Sequence, residues 1–100
     1  METVSIVQLQ HALRLRRVAV VDFTSANCAP CRTVMPVIQQ LAQRVPVLVV
    51  NIDDNAEYIT SKYGIRSVPT VVLYQNGMEA ARLEGVFTLA QALQRFDRFF

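Results

Sequence analysis

Two runs of almost unbroken apolar residues, Val18-Ala19-Val20-Val21-Asp22-Phe23 and Val47-Leu48-Val49-Val50-Asn51-Ile52, most constrain how this chain can fold. β-branched stretches without polar alternation make strands that must be covered on both faces, as the inner strands of a parallel sheet are. Between them, Val34, Val37, Ile38, Leu41 and Val45 form an apolar stripe opposite Arg32, Gln39, Gln40, Gln43 and Arg44, which predicts an amphipathic helix bent at Pro36. Strand, helix and strand in succession argue for parallel pairing. The charged residue inside the first run, Asp22, is conspicuous.

Weaker local signals supply the other elements. Ser5 with Gln8 makes a capping box, and Ile6, Leu9 and Leu13 at helical spacing predict a helix over 6–14. Asp54 and Glu57 open a short helix that stops at Gly64. The β-branched run 70–74 leads through Asn76-Gly77, a hairpin signal, into the more polar segment 79–84. Thr88 with Gln91 repeats the cap, and Leu89, Ala92, Leu93, Phe96 and Phe100 mark a last helix facing the core. These elements predict an α/β sandwich with a mixed central sheet and helices on both faces. With 52% hydrophobic and 18% charged residues, the 100 residues suit one folded domain over 1–100.

A formal charge of +2 and scattered arginines argue against a nucleic-acid or membrane surface; the trio Arg14, Arg16 and Arg17 reads as a solvated helix end. The first nine residues lack a basic start followed by an apolar stretch, and no apolar run approaches the ~18 residues of a membrane span. The expectation is a cytoplasmic protein without a metal or other cofactor.

Two cysteines three positions apart carry the chemistry. Cys28-Ala29-Pro30-Cys31 follows a buried strand and opens an amphipathic helix, whose N-terminus favours thiolate over thiol. Cys28, the better placed and the more exposed in this reading, attacks a substrate disulfide, and Cys31 then attacks Cys28 to close the ring and release reduced substrate. Pro30 restricts the turn and lacks an N–H that the first helical turn would leave unpaired. Half a zinc site would need two further ligands, for which His11 and scattered carboxylates offer no motif. His11 reads as a surface or packing residue.

With these segments in view, the chain resembles the thioredoxin family over nearly its whole length. The resemblance rests on Val21-Asp22-Phe23, Cys28-Ala29-Pro30-Cys31, Asn51-Ile52-Asp53, Tyr63-Gly64-Ile65-Arg66-Ser67-Val68-Pro69-Thr70, Asn76-Gly77 and Gly85. It implies the thioredoxin fold, a mixed sheet of four to five strands sandwiched by four helices, with a first strand shortened to about 2–4. It implies a redox-active Cys28–Cys31 disulfide, with Asp22 moving a proton for Cys31; burial in an apolar strand suits that role by raising the carboxyl pKa. Base rates alone would make the Val68-Pro69 bond trans; the resemblance implies cis, with Val68 pairing to an extended substrate and Asn27, Ala29, Pro30, Gly85 and Val86 completing the surface. It further implies a monomer that reduces disulfide-containing proteins and draws electrons from a thioredoxin reductase.

Departures from the family pattern lie close to the cysteines. Thr24 and Asn27 replace flanking tryptophans, Ala29 replaces a glycine, and Val49 replaces a lysine that would neighbour Asp22. Without that counter-charge Asp22 is expected to be more readily protonated. The altered flanks also suggest an alternative, a thioredoxin-fold binding module whose redox activity is incidental. A glutaredoxin-like enzyme fits less well, since no tyrosine stands between the cysteines.

Overall fold

Both apolar runs form strands, and a computed structural model describing residues 1–100 gives the order in which they pair. The strands are β1 (Glu2–Thr3), β2 (Val18–Thr24), β3 (Val47–Asn51), β4 (Thr70–Gln75) and β5 (Met78–Glu84). The helices are α1 (Ile6–Leu15), α2 (Ala29–Leu41), α3 (Ala56–Tyr63) and α4 (Leu89–Phe96). One sheet takes the order β1-β3-β2-β4-β5, with β1, β3 and β2 parallel and β4 and β5 antiparallel to their neighbours. This is the mixed five-stranded sheet with four helices that the sequence led us to expect. No helix is long and apolar enough to cross a membrane.

The central strand sorts its side chains by the two-residue period of a strand. Ala19, Val21 and Phe23 face a core shared with Leu9 and Leu13 of α1 and Ile59 of α3. Val20 faces the other core, with Val34, Ile38 and Leu41 of α2 and Ala92 and Phe96 of α4. Asp22 and Val20 therefore lie on the same face of β2, the one that α2 covers.

Caps set the helix limits. Ser5 with Gln8 and Thr88 with Gln91 form complete capping boxes at α1 and α4. Asn76 and Gly77, with φ of 54° and 81°, make the β4–β5 turn in the left-handed conformation such hairpins need. α2 continues through Pro36, and α3 starts later than expected because Asn51 Oδ1 accepts the Asp53 N–H and draws Ile52–Asp54 into a 3-10 turn. The last helix also ends early. Phe96 is fully buried, Asp97–Phe99 follows as a 3-10 turn with Phe99 half-buried against the same core, and Phe100 is exposed rather than core-facing. His11 and the arginine trio are exposed.

Phe96 is fully buried against α2, so Phe96→Ala is expected to cost about 3–5 kcal/mol of stability in urea unfolding. A loss below about 1 kcal/mol would contradict this packing.

Candidate active site

α2 begins at the cysteines. Cys28 is its N-cap in an extended conformation, and its Sγ accepts the Cys31 N–H at 3.1 Å. A sulfur thus occupies the place an N-cap oxygen usually fills, where the helix's free N–H groups and partial positive charge stabilise negative charge on it. Pro30 lies in the first turn, where its missing N–H removes no helical bond. The two sulfurs form a disulfide with Cα atoms 5.2 Å apart.

Cys28 is less accessible than the sequence reading expected: it is 6% exposed, against 4% for Cys31. In the closed disulfide its sulfur is turned over the helix start, near the Cys31 N–H and 3.8 Å from the Val68 carbonyl oxygen, and these groups cover it.

Asp22 is 1% exposed, and its Oδ1 has no hydrogen-bond partner. Strand register sets Val49 on one side of it and Val71 on the other, so neither neighbouring strand supplies a charge. Desolvation raises its pKa from 3.8 to about 6. Asp22 and the helix that carries Cys31 thus share one side of the sheet.

The remaining residues named from sequence lie at the same end of the sheet. Val68-Pro69 is a cis peptide, as the resemblance implied, and Pro69 is buried at the entry to β4. The Gly85 N–H donates to Pro69 O at 2.8 Å, joining the loop after β5 to the proline. Gly85 has a φ of 81°, and Val86 beside it is 54% exposed. Asn27, just before Cys28, and Ala29 and Pro30, in the first turn of α2, are exposed. Thr24 borders a cavity of about 250 Å³ with Ser25, Cys31, Arg32 and Met35. A larger hollow of about 680 Å³, over Asn55, Tyr58 and Lys62, includes none of these residues.

Two features escaped the sequence reading. Asp53 accepts from Ser25 Oγ at 2.8 Å and from Ala26 N–H at 3.0 Å, which holds its carboxyl below the usual range. Arg66, in the connection that carries Val68 between α3 and β4, pairs with Glu84 at the end of β5 at 3.1 Å. Neither pairing has a local signal, because the partners lie 28 and 18 residues apart.

Comparison with known proteins agrees with this geometry. The thioredoxin family model matches residues 3–97. The chain belongs to the thioredoxin family. The thioredoxin of Alicyclobacillus acidocaldarius is 36% identical over 87 residues, 83% of this chain and 82% of that one. The thioredoxin of Rickettsia bellii is 51% identical over 61 residues, a match spanning only 57% of either chain. The X-ray structure of Fasciola hepatica thioredoxin superposes with a TM-score of 0.81 at 28% identity, covering 94% of both chains. With its Cys28–Cys31 disulfide, this thioredoxin-family chain is a thiol–disulfide oxidoreductase.

The Asp22 environment has a stability consequence with a definite sign. The unfolded chain loses this proton near pH 3.8 and the folded one near about 6, so stability falls as pH rises through that window and stays lower above it. A shift of this size corresponds to roughly 3 kcal/mol. Asp22→Asn is expected to stabilise the protein by about 1–3 kcal/mol at pH 8 and by close to nothing at pH 4, read by urea unfolding. An equal effect at both pH values would contradict the burial account.

Proposed function

We propose that the chain acts as a single thioredoxin-like domain over residues 1–100 in the cytoplasm, reducing disulfide-containing proteins with Cys28 as nucleophile, Cys31 as resolving thiol and Asp22 as proton acceptor. The observation that carries the reading is a disulfide set at a helix N-terminus, beside the Val68 carbonyl and on the sheet face that holds an unpartnered carboxylate.

In the reduced protein the Cys28 thiolate attacks one sulfur of the substrate disulfide. The Cys28–substrate bond forms as the substrate's own S–S bond breaks, and the first substrate thiolate leaves. Asp22 then takes the Cys31 proton. The Cys31 thiolate attacks Cys28 Sγ, the mixed disulfide breaks, and the second substrate thiolate leaves as Cys28–Cys31 closes. A carboxyl with a pKa of about 6 is mostly ionised at pH 7 yet basic enough to receive this proton and pass it to solvent.

Val68 offers its backbone to an extended substrate segment, a role supported by the closeness of its carbonyl to Cys28. Asn27, Ala29, Pro30, Gly85 and Val86 form the rest of the contact surface, with Pro69 fixing the loop; the exposure of Asn27, Ala29, Pro30 and Val86 and the Gly85–Pro69 hydrogen bond support this. A flavin-dependent thioredoxin reductase returns two electrons to the disulfide.

Cys31→Ser is expected to stall at the mixed disulfide and to retain partner proteins on Cys28 that dithiothreitol releases. No Cys28-linked partner, or full activity in Cys28→Ser, would reject the enzyme reading in favour of a binding module. A redox titration against glutathione is expected to give a potential near about −270 mV, whereas a value near about −120 mV would mark an oxidant. Asp22→Asn is expected to slow resolution of the mixed disulfide at pH 7 by about tenfold, read by rapid quench. An unchanged rate would remove Asp22 from the mechanism.

A further inference from the structure

The segment that leads from β2 to Cys28 has few ties to the rest of the molecule. Among the backbone N–H groups of Ser25, Ala26, Asn27 and Cys28, the one with a protein partner is that of Ala26, and the partner is the Asp53 carboxylate. The other oxygen of the same carboxylate accepts from Ser25 Oγ. Asp53 therefore holds two consecutive residues with its two oxygens, in charge-assisted hydrogen bonds stronger than neutral ones.

The carboxylate is itself held in place. Its own N–H donates to Asn51 Oδ1 at 2.8 Å, in the 3-10 turn that follows β3. The register of β2 with β3 ends at Thr24 opposite Asn51, so this turn emerges next to the cysteine loop. Thr24 and Asn27 are small or polar side chains, and Asn27 is exposed, so neither contributes a large packed anchor to the loop. While the disulfide is closed, Cys28 is also tied covalently to Cys31. Once it opens, that tie is gone, and the Asp53 contacts are the remaining side-chain restraint just before the nucleophile.

We propose that Asp53 is a positioning residue for Cys28: by clasping Ser25 and Ala26 it keeps the nucleophile at the start of α2 after the disulfide has been reduced. The proposal rests on the reading of Cys28 as nucleophile. Asp53 touches neither substrate nor sulfur and acts through the loop. A thiolate that drifts from the helix N-terminus loses the partial positive charge that favours it, and it also loses its line of attack. The clasp therefore governs both how readily Cys28 ionises and how fast it reacts.

Two substitutions at one position separate geometry from charge. Asn in place of Asp53 keeps both contacts, since its amide oxygen accepts the Ala26 N–H and its amide nitrogen donates to the Ser25 hydroxyl, acting as acceptor. Ala keeps neither. The experiment compares wild type, Asp53→Asn, Asp53→Ala, Ser25→Ala and the Ser25→Ala, Asp53→Ala double variant, all as the full chain. It reads insulin reduction, the pH profile of Cys28 alkylation by iodoacetamide in the reduced protein, and thermal unfolding. Cys28→Ser in the same insulin assay tests the nucleophile by itself.

Asp53→Ala is expected to slow insulin reduction about tenfold and to move the alkylation profile to higher pH, while Asp53→Asn stays within about twofold of wild type in rate. Ser25→Ala falls between, about threefold down, and the double variant is no slower than Asp53→Ala because both changes remove one clasp. Equal alkylation profiles and rates for Asp53→Asn and Asp53→Ala, or multiplicative losses in the double variant, would overturn the proposal. If Asp53→Ala does not fold, the decision passes to Ser25→Ala made in the Asp53→Asn background. A further threefold slowing there supports the clasp, and no change overturns it. Insulin reduction that survives Cys28→Ser would instead defeat the nucleophile reading, an outcome distinct from either.

Discussion

A carboxyl group enclosed between two valines is the constraint around which the site is organised. Asp22 sits in the central strand, with Val49 on one side and Val71 on the other, and one of its oxygens has no partner. A protein interior tolerates such a group in its neutral form and resists the charged one. Desolvation brings the pKa to about 6, close enough to neutrality for the group to gain and lose a proton under ordinary conditions. The energetic cost falls on the fold above that pH, and the cysteine helix packs over the same face of the sheet.

Topology brings the other parts to one end of the sheet. The parallel strands β2 and β3 finish side by side at Thr24 and Asn51, so the cysteine loop and the turn bearing Asp53 emerge together. β4 runs the opposite way and begins there: Phe23 pairs with Thr70, which puts Pro69 beside the end of β2. Thr70 in turn pairs with Glu84, so β5 delivers Gly85 and Val86 to the same end. Four connections of unrelated sequence thereby form one surface. The carboxyl ends of parallel strands commonly carry such sites, because the loops there are held by a rigid sheet yet remain free to vary.

How much of this could be read in advance depended on the range of the interaction involved. Strands, capping boxes and the Asn76-Gly77 turn are written in neighbouring residues and were legible. Asp22 stood out because a charge interrupts an apolar run, and the absent counter-charge at Val49 is matched by the strand register. The cis Val68-Pro69 bond came from family resemblance, since local pattern favours trans. The Ser25–Asp53 contact could not be read because it depends on how β2 and β3 align. The end of the last helix was missed because Phe100 continues the apolar spacing beyond the point where Phe96 has already filled the core. The shielding of Cys28 was missed for a related reason: the Val68 carbonyl that helps cover it lies 40 residues along the chain.

The central claim is that burial without a partner, and not an ion pair, sets the proton affinity of Asp22. Its most direct test is an NMR titration of the Asp22 carboxyl carbon in the oxidised protein, assigned by its loss in Asp22→Asn. The account predicts a midpoint of about 6 that changes little with added salt, because no nearby charge is being screened. A midpoint near the ordinary 3.8 would contradict it.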